Sequence, residues 1–160
     1  MTDSRATHKG ACHCGAVQFN VKLSDELNTA RRCTCSMCSR RGAVAVSAEL
    51  KDIEFISGED LLTCYTFGTG VANYTFGTGV AKHYFCSKCG IYTHHQRRSN
   101  PTQFGINLAC LEGFTPFLDE VPVLDGKNHP RDQKDGAGDD GTYKGLEVGR
   151  LKFEGDRSRL

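Results

Sequence analysis

Seven of the nine cysteines in this chain are grouped in three short segments, at spacings that suit metal ligation. The groups are, in chain order, Cys12 and Cys14; Cys33, Cys35 and Cys38; and Cys86 and Cys89. Zinc takes four protein ligands in a closed structural site, and three in a site that keeps one position open for chemistry. Seven thiolates therefore predict one closed site and one open site.

The two cysteine pairs each need a tight turn that points both sulfurs at one ion. Cys86-x-x-Cys89 followed by Gly90 has the spacing of a zinc knuckle, and glycine can take the left-handed conformation that such turns often need. The side chains of Cys12 and Cys14 would run parallel in a flat strand, so we expect a bend between them. Together the pairs predict a four-cysteine site that fastens the N-terminal strand to the middle of the chain. The alternative is that these are buried or free cysteines.

The middle segment is the only one with three ligands, and we predict that it holds the open zinc. A metal there would lower the pKa of a bound water or thiol. Arginine pairs flank the segment, where we expect them to offset thiolate charge and to contact the carboxylates of a ligand: Arg31 and Arg32, and Arg40 and Arg41. The alternative is a second structural site completed by Cys64, Cys110 or a histidine, and iron is an alternative metal.

Other residue types that can do chemistry are interpreted mainly as structural. Cys64 and Cys110 lie in apolar segments and are expected to be small core residues. Consecutive His94 and His95 face opposite ways on a strand, so at most one of them points at a site. We expect a solvated turn, with anion binding as the alternative, at Arg97 and Arg98, and core positions, with hydrogen bonding to a substrate as the alternative, at Tyr65, Tyr74 and Tyr84.

Composition favours one loop-rich β domain. The chain has 160 residues, 38% of them apolar, and 18 glycines. A formal net charge of +1 gives no general attraction to nucleic acid or to a membrane. Residues 1–10 are polar and lack the apolar run of a signal peptide, and no segment is long and apolar enough to span a bilayer. We therefore expect a cytoplasmic protein, whose closely spaced thiols bind metal instead of forming disulfides.

Alternating and β-branched segments predict a mainly β fold with one short helical turn at residues 36–41. Residues 16–23 place Val17, Phe19, Val21 and Leu23 on one face of a half-buried strand. Residues 53–56 and 61–67 flank a turn and predict a hairpin. Further strands are predicted at residues 43–48, 80–85, 91–95, 103–109, 121–124 and 143–153.

A nine-residue unit occurs twice in tandem, at residues 65–73 and 74–82, with eight of nine positions identical. An odd insertion in one continuous strand would move every later side chain to the opposite face. We therefore predict that one copy bulges or loops out. After residue 125 the chain becomes polar and rich in glycine, which is typical of a loop before the last predicted strand.

The three cysteine segments resemble those of the glutathione-dependent formaldehyde-activating enzyme family, also called the CENP-V/GFA family. The similar text is GACHCGAVQF at residues 10–19, CTCSMCSRRG at 33–42 and HYFCSKCG at 83–90. The resemblance implies a β-tent type fold of small antiparallel sheets stapled by zinc. It also implies a zinc-binding domain at residues 10–125, after a flexible terminus at 1–9, with 126–160 as a polar loop and final strand of the same domain.

In this family the first and third cysteine groups hold a structural zinc, and the middle group holds a catalytic zinc. The resemblance therefore implies two zinc ions, a structural one at Cys12, Cys14, Cys86 and Cys89 and a catalytic one at Cys33, Cys35 and Cys38. The implied activity is that of a carbon–sulfur lyase that condenses formaldehyde with glutathione, as S-(hydroxymethyl)glutathione synthase does. We hypothesise such an enzyme acting on a small thiol. Two alternatives are a non-catalytic zinc module that binds another protein and a thiol-responsive metal site.

Overall fold

The computed structural model describes residues 3–66, 81–128 and 146–160. These residues form three small sheets and one short α-helix, α1, at Ser36–Arg41. The mainly β prediction is confirmed, and so is the helical turn. The strands are β1 (Thr7–Ala11), β2 (Gln18–Lys22), β3 (Arg32–Cys33), β4 (Ala45–Glu49), β5 (Ile53–Ser57), β6 (Leu62–Tyr65), β7 (Lys82–Cys86), β8 (Tyr92–Gln96), β9 (Gln103–Asn107), β10 (Glu120–Leu124) and β11 (Glu147–Lys152).

The first sheet has the order β1-β2-β5 and is antiparallel throughout. The expected alternation in β2 is confirmed, because Val17, Phe19, Val21 and Leu23 are all at most 1% exposed. Strand β1 starts at Thr7, inside the segment 1–9 that was expected to be flexible. Residues 7–9 are instead held by pairing with β2, since the edge of β2 offers partners for their backbone groups.

The second sheet has the order β4-β9-β8-β7-β6 and is also antiparallel. It meets the first sheet across the main core, where buried apolar side chains of both sheets form one cluster. Fully buried members include Phe19 from β2, Val46 from β4 and Ile106 from β9. Burial of each such side chain stabilises the fold by about 1.5–3 kcal/mol, so this cluster is the main apolar support of the domain.

The third sheet, β11-β10-β3, contains the one parallel pairing in the part of the chain that the structure describes. Leu124 of β10 is opposite Cys33 of β3, and the backbone N–H of Thr34 donates to Leu124 O at 3.0 Å. Strand β11 was expected within residues 143–153 and occupies the outer edge, where all six of its residues are exposed. This sheet therefore supports the strand that carries the first cysteine of the triplet.

The predicted hairpin between residues 53–56 and 61–67 is wrong. Strand β5 pairs with β2, whereas β6 pairs with β7, so the chain crosses from the first sheet to the second at the intervening turn. Gly58 has a φ of +72° and lies so close to Ala16 O that a Cβ would overlap it. A turn signal is the same for a hairpin and for such a crossing, because it reports local backbone geometry alone.

The prediction that one copy of the nine-residue repeat bulges or loops out falls mainly on residues 67–80, which lie outside the described residues. At its two ends, Tyr65 closes β6 and Lys82 opens β7, and these strands pair with each other. None of the helices in the described part of the chain is both long and apolar enough to cross a bilayer.

Candidate metal centres

The turn between β1 and β2 supplies the first cysteine pair. The backbone N–H of Gly15 donates to Cys12 O at 3.0 Å, and Gly15 has a φ of +74°, which favours glycine. The N–H of Cys12 donates to Val17 O at 3.0 Å and closes the loop. The expected bend between Cys12 and Cys14 is therefore present, and it brings their sulfurs to 3.5 Å.

The turn between β7 and β8 supplies the third cysteine group in the manner of a zinc knuckle. The N–H of Gly90 donates to Cys86 O at 2.8 Å, and Gly90 has a φ of +72°. Cys86 closes β7 and is fully buried, while Cys89 lies in the turn and is half-buried. The glycine after Cys89 thus meets the conformational need that its position in the sequence indicated.

The two turns bring four sulfurs together across 72 residues of chain, with Cys14 Sγ 3.8 Å from Cys86 Sγ. All four sulfurs, of Cys12, Cys14, Cys86 and Cys89, lie within 4.8 Å of one another. A tetrahedral zinc with bonds of about 2.3 Å places its sulfurs about 3.8 Å apart, so this set, the tetrad, fits zinc. Cys12 and Cys86 also pack in a small apolar cluster with Val17.

Backbone amides supply the hydrogen bonds to the tetrad. The N–H of Val17 donates to Cys12 Sγ at 3.3 Å. Hydrogen bonds from the backbone N–H groups of Cys14 and Ile91 lower the pKa of Cys89 to about 6. Amides that point at a sulfur favour its thiolate form, which is the form that binds metal.

The second group, the triplet, is built at the junction of β3 and α1. Cys33 ends β3, Cys35 is the N-cap of α1, and Cys38 lies in its first turn. The N–H of Cys35 donates to Cys33 Sγ and that of Cys38 donates to Cys35 Sγ, both at 3.4 Å. The three sulfurs are partly buried and lie within 4.8 Å of one another. A strand that turns at once into a helix therefore gathers three ligands from six residues.

The three triplet sulfurs share charge unequally. Hydrogen bonds from the thiols of Cys33 and Cys38 hold the pKa of Cys35 well below its usual range. The pKa of Cys33 is raised instead, because of its hydrogen bonds to Cys35 and Cys38 and because of burial. Three thiolates at this spacing require a cation between them, so the donor set fits a divalent metal such as zinc.

A glycine from the third sheet packs directly on the triplet. Gly126 follows β10 and is buried so tightly that a Cβ there would overlap Cys33 Sγ and approach Cys35 Cβ to 2.9 Å. Its N–H donates to Thr34 Oγ1 at 3.1 Å, and its carbonyl accepts from Arg98 Nη2 at 3.2 Å. The backbone after β10 therefore forms one wall of the triplet. The sequence does not reveal this contact, because residue 126 is 88 positions beyond Cys38.

The arginines that flank the triplet in sequence occupy different environments. Arg41 Nη2 donates to Cys38 Sγ at 3.4 Å, and its guanidinium carbon lies 3.5 Å above the ring of Tyr92. Arg40 is exposed and donates from Nη1 to Ser36 O at 2.8 Å. Before the triplet in the sequence, the backbone of Arg31 pairs with that of Ala45 in β4. Of the pair Arg40 and Arg41, only Arg41 therefore contacts a triplet sulfur. Arg32, the residue after Arg31, lies in β3 opposite Val123.

Two residues near Arg41 were not identified from the sequence as site residues. His83 Nδ1 accepts a hydrogen bond from Arg41 Nη1 at 3.0 Å, and burial with the nearby guanidinium charge lowers the pKa of His83 to about 4. Tyr92 is buried, with its hydroxyl donating to Gly105 O at 3.0 Å. The alternation of side chains along β7 and β8 places His83 and Tyr92 in reach of α1, which only the register of the sheet reveals.

Several expectations for other residues were wrong. Arg97 was expected in a solvated turn but is only 6% exposed, with Nη2 donating to Ser47 Oγ at 3.1 Å. Cys64 and Tyr65 were expected in the core but are exposed. Strand β6 is the edge of the second sheet among the described strands, so it has a neighbouring strand, β7, on one side only. Cys110 is buried as expected. Tyr84 is partly buried and stacks on His94.

The adjacent histidines of β8 lie on opposite faces of the second sheet, as predicted, and both are buried. His94 stacks on Tyr84 with ring centroids 4.6 Å apart, whereas His95 stacks on His83 at 5.3 Å. Neither joins a cysteine group, nor do Cys64 and Cys110. In the described ranges, the triplet has no fourth His, Cys, Asp or Glu ligand within reach.

Comparison with known proteins agrees with the cysteine pattern. A crystal structure of a Rhodobacter sphaeroides protein, solved as a structural genomics target, is similar with 52% sequence identity and a TM-score of 0.65. The similarity covers 72% of this chain and 98% of that chain. A sequence model of the family described as glutathione-dependent formaldehyde-activating enzyme matches residues 7–122, a range that includes all seven clustered cysteines. This chain therefore belongs to the glutathione-dependent formaldehyde-activating enzyme family.

Proposed function

We propose that this chain is a zinc-dependent enzyme of the carbon–sulfur lyase type, which joins formaldehyde to the thiol of glutathione or of a similar small molecule. The observation that carries the proposal is the triplet: three sulfurs within 4.8 Å, with no fourth protein ligand among the described residues. A zinc held by three protein ligands keeps a position for an external ligand. Membership of the family supports the choice of substrates.

Zinc bound at Cys33, Cys35 and Cys38 would supply Lewis acidity, which lowers the pKa of a thiol in the open position. In the reaction the thiol sulfur forms a bond to the formaldehyde carbon, and the π electrons of the carbonyl move to its oxygen. The thiol proton ends on that oxygen. The S-hydroxymethyl product contains every atom of the two reactants, so no further reactant is required.

We assign different tasks to the chain's own residues around the triplet. Arg41 donates to Cys38 Sγ and so favours its thiolate form. Arg40 is exposed at the end of α1 and is the better placed of the two for contact with a carboxylate of the substrate. Gly126 closes the side of the triplet that carries Cys33, which restricts the direction from which a substrate approaches.

We further propose that the tetrad holds a structural zinc. Its four sulfurs meet in one group, which leaves no position for an external ligand on a tetrahedral ion. The pairs come from turns 72 residues apart, so a bound metal would link the first sheet to the second. All nine cysteines are free of disulfides, which supports a reducing compartment such as the cytoplasm.

The decisive experiment is metal content per chain in the wild type and in Cys35→Ser, with Cys64→Ser as the matched control. Cys64 is exposed and belongs to neither cysteine group, so its variant should keep two zinc ions. We expect Cys35→Ser to keep one zinc and a native circular dichroism spectrum. Exchange NMR should show that S-hydroxymethylglutathione forms no faster with this variant than it does in buffer alone.

Two outcomes would contradict the proposal. Global unfolding of Cys35→Ser would make the triplet structural. His129 lies outside the described residues. Loss of one zinc from His129→Ala would show that this histidine is a fourth protein ligand of the triplet, and would favour a non-catalytic zinc module.

A further inference from the structure

Three arginines lie around the triplet, and the described residues provide no carboxylate partner for any of them. Arg31, Arg41 and Arg97 come from the segment before β3, from the end of α1 and from the residue after β8. In the described part of the chain, none of the three forms an ion pair with an aspartate or glutamate, whereas Arg5, Arg150 and Arg157 each do. Arg97 is buried, and Arg31 and Arg41 are half-buried. Guanidinium groups that are withdrawn from water are normally paired with an anion, and the triplet thiolates can supply that negative charge.

Arg41 is the arginine in direct contact with the triplet. Its guanidinium donates to Cys38 Sγ and to His83 Nδ1, and it lies on the ring of Tyr92. These three contacts hold the planar group in one orientation, so it is directed at the sulfur and is not free to turn toward solvent. A lysine would keep the charge but would lose the fork of donors and the stacking on Tyr92.

Arg97 contacts β4 through its side chain, and Arg31 pairs with β4 through its backbone. Arg97 donates to Ser47 Oγ at 3.1 Å, and Arg31 pairs with Ala45, two residues earlier on the same strand. Burial and then the charge of Arg31 lower the pKa of Arg97 to about 9, while the thiolates of Cys38 and Cys33 act in the opposite direction. The positive charge of Arg31 thus disfavours the charge of buried Arg97, and an anionic neighbour offsets that effect.

The formal charges of the two cysteine sites differ in sign once their surroundings are included. Three thiolates and one divalent zinc sum to −1, and Arg31, Arg41 and Arg97 change that sum to +2. Two further charges next to the triplet cancel each other, those of Arg98, which donates to Gly126 O, and of Asp125, which accepts from the Thr34 side chain. The tetrad with zinc sums to −2, and the hydrogen bonds described to its sulfurs come from backbone amides and from its own cysteines. A site with a positive surplus favours an anion in its open position over a neutral ligand.

We infer that Arg31, Arg41 and Arg97 are specificity-determining residues that make the triplet select an anionic fourth ligand, with Arg41 as the residue that also positions Cys38. The inference rests on the proposed metal at the triplet and concerns the ligand that joins it. The same preference would retain a thiolate against a neutral thiol or water at neutral pH. This task differs from contact with substrate carboxylates, which is what the sequence predicted for the flanking arginines.

The test uses full-length protein loaded with cobalt(II), whose absorption reports on ligand exchange. Azide serves as the anionic probe and imidazole, at a pH where it is neutral, as the uncharged probe. We expect wild type to bind azide more tightly than imidazole, and Arg41→Gln to weaken azide binding about tenfold while imidazole binding stays unchanged. Metal affinity at the triplet, measured by chelator competition, should fall about 10- to 100-fold in the same variant.

Arg159→Gln is the matched control, since it also removes one guanidinium, at an exposed side chain that pairs with Asp156 and has no assigned role in the site. It should leave both affinities as in wild type, and Arg41→Lys should restore part of the azide preference. Equal loss of azide and imidazole binding in Arg41→Gln, or no loss of either, would overturn the inference. If Arg41→Gln does not fold, Arg31→Gln with the same probes decides. Wild type that binds only one cobalt would instead overturn the proposed function, so the two failures are distinguishable.

Discussion

The tetrad and the triplet use the same ligand atom in opposite surroundings. The tetrad joins two glycine turns from different sheets, and backbone amides hold its sulfurs. The triplet is made within six residues, and the fold adds an arginine on one side and a glycine wall on the other. The first arrangement suits a metal that fastens two sheets, and the second suits a metal whose ligands are controlled from outside.

The same contrast runs through strand β8, whose two faces serve the two sites. His94 lies on the face with Tyr84 and with Phe55, and Phe55 packs against the small apolar cluster of the tetrad. His95 lies on the face with His83, which bonds Arg41 beside the triplet. Since neighbouring residues of a strand face opposite ways, a single strand links both centres without mixing their side chains.

The largest effect should come from the tetrad. Cys86 is fully buried, and its replacement by serine removes a ligand that joins the two sheets. We expect Cys86→Ser to lower the free energy of unfolding by more than about 4 kcal/mol, since the binding energy of a structural metal is folding energy. Thermal unfolding of the zinc-loaded protein measures this. A Cys86→Ser variant as stable as Cys35→Ser would contradict the difference between the sites.

Gly126→Ala should break the triplet and spare the tetrad. A methyl group at residue 126 would overlap Cys33 Sγ, so either Cys33 or the loop after β10 must move. We expect loss of one metal per chain and a destabilisation of about 1–3 kcal/mol. Gly149→Ala is the control, because nothing lies within 4 Å of a Cβ there. Two metals retained in Gly126→Ala would show that the wall does not constrain the sulfurs.

Acid should lower the free energy of unfolding through protonation of His94, which lies on the face of β8 nearer the tetrad. Burial lowers the pKa of His94 from 6.5 to about 3. Below pH 6.5 the unfolded chain therefore binds a proton that the folded chain does not. The contribution of neutral His94 to the free energy of unfolding is complete above that pH and is lost as the pH falls. Between pH 6.5 and pH 5 the loss is about 2 kcal/mol. His94→Phe should show a correspondingly shallower fall in denaturant unfolding, and an unchanged slope would refute the assignment.

The smallest effect should come from Cys64. It is exposed on edge strand β6, outside both cysteine groups. Cys64→Ser should change the free energy of unfolding by less than about 0.5 kcal/mol and leave the metal content unchanged. A measured loss of metal would mean that a cysteine beyond the seven takes part in binding.

Local patterns predicted much of this molecule because the forces behind them act over a few residues. The alternation of β2, the helical turn at Ser36–Arg41 and the turns at Gly15 and Gly90 all follow from backbone geometry and side-chain period. The hairpin after β5 and the core position of Cys64 were wrong for the opposite reason. Which strand pairs with which, and which strand becomes an edge, depends on contacts between distant segments.

The cysteine spacing alone predicted two metal sites, one with four cysteine ligands and one with three, and predicted which cysteines belong to each. Ligand chemistry is read from residue type and local turns, so it needs no knowledge of the fold. Only the tertiary structure placed Gly126 against Cys33, Arg41 on Tyr92 beside Cys38, and Arg97 in the interior. These contacts join residues that are far apart in the chain, and only the pairing of three sheets brings them together.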